Sequence, residues 1–263
     1  MTTKTGGGEN MQILLEQIVD ITILAGDIML KNGAETSRVE ETMFHIARSL
    51  GAVKVESFVI PTGVFVTVTD TTGRTSTIMR RVHDRTINLD RIAKVNELSW
   101  RLTDRRIDYQ QAYAHLERIA RERTGFSLVP SMLASGIVGG AAAILLNAGV
   151  AESLAAFTTA LIVRYIAHVI SRLHGVKFTF EFFGGMTAAL VGMLFNHMWP
   201  ELRPDNVVVG GIMPLVPGVA ITNAIRDVIA GDLLSGLSRG LEAALTAVAV
   251  SMGVVIILAV SAY

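Results

Sequence analysis

Residues 127–147 read SLVPSMLASGIVGGAAAILLN, a run of 21 residues without a charged side chain. A helix of about 20 apolar residues crosses the hydrocarbon core of a bilayer. The run begins where the composition changes, because residues 1–125 hold 17 Lys and Arg and 16 Asp and Glu, whereas residues 126–263 hold 6 and 7. We therefore predict an α-helical integral membrane protein, in which a polar domain precedes a transmembrane domain at 126–263.

The transmembrane domain is predicted to contain about five membrane-spanning helices, since four further apolar segments follow the first. The predicted spans lie at about 127–147, 153–171, 179–199, 206–225 and 240–262. Small residues are abundant in them, which suits close contact between helices in lipid.

The fourth segment, NVVVGGIMPLVPGVAITNAI, is interrupted by Pro214, Pro217 and Gly218. Each proline removes a backbone donor and kinks a helix. In transporters, broken helices at membrane depth form substrate sites, because the freed helix ends direct their dipoles at the ligand. An ordinary proline-kinked span is an equally open interpretation.

The loop charges predict the orientation. Arg172, His174 and Lys177 lie between the second and third spans, and Arg226 and Arg239 lie between the fourth and fifth. Cytoplasmic loops carry an excess of Lys and Arg. The polar domain is therefore expected in the cytoplasm and the C-terminus outside, and the odd number of spans suits association with a second membrane subunit.

The polar domain, residues 11–125, is predicted to be α+β after a disordered, glycine-rich tail at 1–10. Acidic residues argue against a membrane span at 11–31, and favour a buried helix there. Alternating β-branched residues predict a three-stranded meander, and N-cap residues predict two helices after it. The predicted strands are 53–60, 64–69 and 75–81, and the predicted helices are 88–106, capped by Asn88, and 109–123, capped by Asp108 with Gln111.

Residues 31–43, KNGAETSRVEETM, look like a joint between two helices. Gly33 suits the C-cap of the first helix. Ser37 and Glu40 have the spacing of a capping box at the start of the second. Capping leaves Glu35 and Arg38 unexplained.

Several polar side chains in the membrane half are candidate functional residues. Arg164 and His168 share one face of the second span, where an arginine needs a partner or water, although it can also snorkel to the headgroups. Behind the broken segment, Arg226 suits a substrate carboxylate, and Thr222 and Asn223 suit an amine or hydroxyl. The candidate proton carriers are Asp227, Asp232 and His168. A plain cytoplasmic loop explains residues 222–232 equally well.

Enzymatic and nucleic-acid functions have little support in the sequence. The formal net charge is zero and there are no cysteines. No nucleophile elbow, zinc-protease motif, phosphate loop or dinucleotide fingerprint is present, and the six histidines lack metal-ligand spacing. We therefore expect no enzyme activity, no cofactor, no metal and no nucleic-acid partner.

Two long stretches resemble the signatures of the bacterial threonine/serine exporter family. The first is NGAETSRVEETM followed by SFVIPTGVFVTVT, and the second is GIMPLVPGVAITNAIRDVIAGDLLSGLSRGLEA. The matching positions are Gly33, Ala34, Glu35, Thr36, Ser37, Arg38, Glu40, Pro61, Thr62 and Gly63, and then Pro214, Pro217, Gly218, Asn223, Arg226, Asp227, Gly231 and Asp232.

The resemblance implies a secondary transporter of the bacterial cytoplasmic membrane with a cytoplasmic N-terminal domain. Full-length members carry about ten spans, so a chain with about five is similar to the larger half of a split pair, whose partner is a smaller membrane subunit. One such pair is associated with succinate export, which leaves the substrate open between a hydroxy amino acid and a dicarboxylate. A regulatory or assembly subunit is the alternative. Glu35, Arg38 and Glu40 are then candidates for gating or for docking the cytoplasmic domain onto the pore.

Overall fold

The computed structural model describes residues 6–83, 85–122, 125–171 and 178–261. Its helices and strands are, in chain order, α1 Gly6–Lys31, α2 Thr36–Ser49, β1 Lys54–Ile60, β2 Gly63–Thr69, β3 Thr75–Arg81, α3 Leu89–Thr103, α4 Tyr109–Arg121, α5 Leu128–Leu145, α6 Val150–Ser171, α7 Thr179–Met198, α8 Pro204–Ile212, α9 Gly218–Ile229 and α10 Leu233–Ser261. A short 3₁₀ turn, Met213–Leu215, follows α8.

The chain forms two compact units that differ from the predicted domains in one respect. The first unit contains residues 1–124 and also 219–240, and the second contains 125–218 and 241–263. The change of composition near residue 125 thus coincides with a unit boundary. Residues 219–240, which the sequence analysis assigned to the transmembrane domain, belong to the polar unit.

The first unit is built around α1, whose residues from 21 to 30 are almost completely buried. Ile21, Ile23, Met29 and Leu30 have no measurable exposure. This agrees with the prediction of a buried helix at 11–31, although α1 begins at Gly6 and so includes residues assigned to a disordered tail. Residues 1–5 of that predicted tail lie outside the described residues.

The predicted meander is confirmed. The strands pair in the antiparallel order β1-β2-β3, with Phe58 opposite Phe65 and Val66 opposite Ile78. On β2, Val64, Val66 and Val68 point into the core, while the residues between them face outward. This alternation is the period-2 pattern of a sheet that is covered on one face, here by α1 and α2.

Two of the predicted helix starts in the first unit are confirmed. Asn88 accepts a hydrogen bond from the Arg91 backbone N–H at 3.1 Å and starts α3. Asp108 accepts from the Gln111 backbone N–H at 2.8 Å, and the Gln111 side chain reaches back to the Asp108 backbone, which completes the capping box of α4.

The second unit packs α8 against α5, α6 and α7. The later part of α10 packs against α7 so closely that the contact requires glycine. A Cβ atom on Gly185 would overlap the carbonyl oxygen of Val250, and one on Gly253 would overlap that of Phe182. Backbones that approach this closely are typical of helix pairs in lipid.

Three helices of the described chain are long and apolar enough to cross a membrane, namely Leu128–Leu145, Val150–Ile170 and Leu233–Ser261. A fourth span results if the interrupted pair Pro204–Leu215 and Gly218–Ile229 counts as one. The predicted third span forms α7, a helix of 20 residues. Its polar side chains make it less apolar than the three helices named above. The total of five spans therefore stays a prediction.

The loop predicted between the fourth and fifth spans is largely helical. Arg226 lies in α9, and Arg239 lies in α10, which begins at Leu233 rather than near residue 240. The other basic loop, 172–177, lies outside the described residues.

The substitution Gly185→Ala tests the contact between α7 and α10. Alanine favours a helix over glycine by about 1 kcal/mol, but here the methyl group meets a backbone oxygen that cannot move alone. We expect a net loss of roughly 1–3 kcal/mol, since overpacking costs that much, seen as a lower thermal midpoint in detergent.

Gly149→Ala is the matched control, because a Cβ atom there meets no other atom within 4 Å. A Gly185→Ala protein as stable as this control would contradict the close contact.

Candidate functional site

The joint between α1 and α2 lies at the centre of the candidate site. Gly33 adopts a φ of +88°, and the Ala34 backbone N–H donates to the Met29 carbonyl, so α1 ends as predicted in a left-handed glycine cap. The joint then runs through Ala34 and Glu35 before α2 begins at Thr36.

Four consecutive residues, Gly33 to Thr36, each meet a side chain from the segment 223–239. The Asn223 amide donates to the Gly33 carbonyl at 2.8 Å, and the Arg239 guanidinium donates to the Ala34 carbonyl at 2.6 Å. These two contacts satisfy backbone carbonyl groups of the joint, which lie outside both helices. Both lie within the first unit.

The Asp227 carboxylate is the most deeply buried of these partners, with no exposed surface. Its Oδ1 accepts a hydrogen bond from the Thr36 backbone N–H at 3.1 Å, and its Oδ2 lies 3.0 Å from Arg239 Nε. A negative charge at the N-terminus of α2 is favoured both by the free N–H groups and by the helix dipole. Asp227 therefore caps α2 from a distant part of the chain.

This cap replaces the one predicted from the sequence. Ser37 is inside α2 and exposed, and Glu35 is the N-cap residue but makes no side-chain capping bond. Glu40 also does not reach back to the start of its helix, because its carboxylate accepts from the Val59 backbone N–H at 2.9 Å. The predicted Ser37–Glu40 capping box is therefore wrong.

Glu35 and Arg226 form the most exposed of the four contacts. An oxygen of the Glu35 carboxylate pairs with Nη1 of Arg226, and the two side chains are 22% and 60% exposed. Surface ion pairs of this kind contribute roughly 0–1 kcal/mol to stability. The guanidinium is held in place and still open to solvent.

A further carboxyl group close to the joint is that of Glu40 on α2. Burial raises the pKa of the Glu40 carboxyl above its usual value, the hydrogen bond from Val59 opposes this rise, and the negative charge of Asp232 adds to it. Asp232 is half-buried, and its N–H donates to the Asp227 carbonyl at 2.8 Å in the turn between α9 and α10.

The structure places the remaining candidates from the sequence on the following elements. Arg38 and Thr222 are exposed on α2 and α9. Pro214 lies in the 3₁₀ turn, and Pro217 and Gly218 lie at the break before α9, as predicted for an interrupted segment.

Arg164 and His168 belong to the second unit, on α6. The Arg164 Nε donates to the Ser131 hydroxyl of α5 at 2.7 Å, and its side chain is otherwise exposed. His168 is half-buried.

Two polar residues that the sequence analysis did not select are structurally central. Arg239, treated there as a loop charge, is buried between Ala34 and Asp227. Glu152 accepts hydrogen bonds from the backbone N–H groups of Gly149 and Arg203 and from the Asn206 amide, at 2.8–3.0 Å. The sequence signal was that each is a charge next to, or inside, a strongly apolar helix.

Several apolar helices of bilayer length, together with a polar unit, define the class of the protein as an integral membrane protein. Its described residues contain no group of three or more side chains that could bind a metal ion. A family model described as "Putative threonine/serine exporter" (ThrE) matches residues 20–261. The chain belongs to this family, and is a membrane protein of the transporter class.

Individual relatives are similar over most of the chain. The "Probable succinate transporter subunit YjjP" of Escherichia coli (strain K12) is 26% identical over 92% of this chain and 94% of its own length. The "Probable threonine/serine exporter" of Mycobacterium tuberculosis is 24% identical over 97% of this chain but 48% of its own length. The "Threonine/serine exporter" of Corynebacterium glutamicum is 23% identical over 86% of this chain and 47% of its own length.

The chain therefore spans nearly all of the first relative and about half the length of the other two. No solved structure matches it.

The pH dependence of stability tests the environment of Glu40. A carboxyl whose pKa is raised by folding destabilises the fold while it is ionised, and this penalty disappears as the pH falls and the carboxyl takes up its proton. Glu40→Gln keeps an acceptor for the Val59 N–H and cannot ionise. We expect its thermal midpoint to exceed that of the wild type at about pH 8, and the two to converge below the usual carboxyl pKa of about 4.

Glu41→Gln is the control, because Glu41 is an exposed neighbour on the same helix. A Glu40→Gln midpoint that is unchanged at high pH, or that differs from the wild type by the same amount at all pH values, would contradict the raised pKa.

Proposed function

We propose that this chain is the larger subunit of a two-component secondary transporter, which exports small carboxylate-bearing metabolites across the bacterial cytoplasmic membrane. The substrates proposed are threonine and serine, or a dicarboxylate such as succinate. The partner is a smaller membrane subunit with about five spans, and the polar unit lies in the cytoplasm with the C-terminus outside.

The lengths of the relatives support the two-component assembly. A relative of nearly equal length is named as a transporter subunit, whereas relatives of about twice the length are named as exporters without a subunit. In the proposed assembly, the partner subunit supplies the part of the longer exporters that this chain does not match. Its positively charged segments favour a cytoplasmic location for the polar unit.

One observation carries the proposed substrate class, namely the Arg226 guanidinium, which is fixed by Glu35 and yet mostly exposed. A planar guanidinium binds a carboxylate through two parallel hydrogen bonds. Asn223, Thr222 and Asp227 lie on the same helix, and Pro214, Pro217 and Gly218 break the chain just before it. Arg164 stays a second candidate for the substrate carboxylate, and Asp227, Asp232 and His168 stay candidates for the coupling proton.

A second candidate function, a regulatory or assembly subunit whose partner forms the pore, is favoured by a different observation. Asn223, Arg226 and Asp227 each already bind a residue of the joint. In that case these side chains only hold the segment 219–240 against the rest of the first unit. Glu35, Arg38 and Glu40 then act in docking.

Efflux from proteoliposomes separates the two candidates. The chain, its partner subunit and both together are reconstituted, and the efflux of labelled threonine and succinate is measured. The transporter proposal predicts efflux with both subunits, and a loss of at least tenfold for Arg226→Ala, since a charge-assisted hydrogen bond of about 1.5–3 kcal/mol is removed.

Lys54→Ala is the matched control, because it also removes an exposed cation that is paired with a carboxylate in the same unit. Full efflux by the partner alone supports the regulatory candidate. Undiminished efflux by Arg226→Ala at equal abundance would remove Arg226 from the substrate site.

A further inference from the structure

We infer that Glu35 determines which carboxylate-bearing solute reaches Arg226, by admitting zwitterionic amino acids and opposing dicarboxylates. The inference rests on the proposed function and concerns the specificity of the same site. Its basis is the pairing of one carboxylate and one guanidinium at an exposed position of the joint.

Glu35 differs from its neighbours in the way it is held. Gly33 and Ala34 are bound through their backbone carbonyls, and Thr36 through its backbone N–H. The Glu35 side chain alone among these four residues makes its contact through a terminal charged group. It can therefore leave Arg226 by changing its rotamer, while the backbone of the joint keeps its other three contacts.

The pair is also the part of the joint that a solute can reach. The Arg226 side chain is 60% exposed, whereas Asp227 and Arg239 are 0% and 8% exposed. A guanidinium has five N–H donors, and the contact with Glu35 uses Nη1. Donors on the guanidinium are thus open to a carboxylate from solution.

The two solute classes meet this pair differently. An amino acid carries an ammonium group next to its carboxylate, so its carboxylate can bind Arg226 while its ammonium binds Glu35. A dicarboxylate brings two negative charges and no donor, so Glu35 repels it and competes with it for Arg226. Like charges at such short range disfavour binding, and opposite charges favour it.

The experiment measures binding of threonine and of succinate to the full-length chain in detergent micelles by calorimetry. For Glu35→Gln, which keeps the size and the acceptor of the side chain, we expect threonine to bind about two- to fivefold more weakly and succinate about two- to fivefold more tightly. Fold-changes of this size correspond to the usual strength of exposed ion pairs. The opposite signs are what a merely structural ion pair does not produce.

Two further variants keep the test decisive. Glu56→Gln removes a carboxylate of another exposed ion pair in the same unit, Lys54–Glu56 at 2.7 Å, and is expected to change neither affinity. Glu35→Asp keeps the charge and is expected to keep the order of the two solutes. Its affinities for threonine and succinate are also measured if Glu35→Gln does not yield a monodisperse protein.

The possible results distinguish the inference from the proposed function. If Arg226→Ala weakens both solutes but Glu35→Gln shifts both in the same direction or neither, the substrate site stands and the role of Glu35 is wrong. If Arg226→Ala changes neither affinity, or the wild-type chain binds neither solute, the site at Arg226 and the role of Glu35 fall together.

Discussion

The structure of the first unit depends on a fully buried carboxylate, that of Asp227, placed at the N-terminus of α2. Burying such a charge costs several kcal/mol unless it is paired and hydrogen-bonded. Here the Thr36 N–H, the dipole of α2 and the Arg239 guanidinium offset this cost together. The same interaction fixes the position of α9 and the start of α10, because both Asp227 and Arg239 lie on that segment.

This interaction explains why two stretches separated by about 190 residues look like parts of one motif. Each of the residues from Gly33 to Thr36 has its partner between Asn223 and Arg239. The first stretch therefore is more than a helix joint, since it binds a segment that follows it only after the seven helices α2 to α8 and three strands. Because the two stretches hold each other in place, a change in one is expected to affect the other.

Local sequence patterns correctly predicted those elements that depend only on residues close together in the sequence. The alternation in 64–69, the caps at Asn88 and Asp108 and the left-handed glycine at Gly33 each depend on residues within one turn or strand. The prediction of a capping box at Ser37 was wrong although Ser37 and Glu40 are suitable residue types. The carboxylate of Asp227, distant in the sequence, caps α2 instead. Nothing near Thr36 in the sequence indicates that carboxylate, and no local pattern places Arg239 beside Ala34.

The amino-acid composition likewise predicted one part of the architecture and missed another. It located the change near residue 125 and the apolar helices, but it does not show that the contacts of residues 219–240 group them with the first unit. Most exposed side chains of α9 are apolar, whereas its other side binds the joint. The mean hydropathy of the segment therefore does not reveal the face that makes these contacts.

A double-mutant cycle on Asp227 and Arg239 tests the central interaction most directly, with the free energy of unfolding measured in detergent for Asp227→Ala, Arg239→Ala and the double variant. Each single change leaves a buried charge without its counterion, and is expected to cost roughly 3–5 kcal/mol. The double variant should cost clearly less than the two together, with a coupling of more than about 1 kcal/mol. Effects that add to within about 0.5 kcal/mol would show that the two charges do not interact, and would contradict the account.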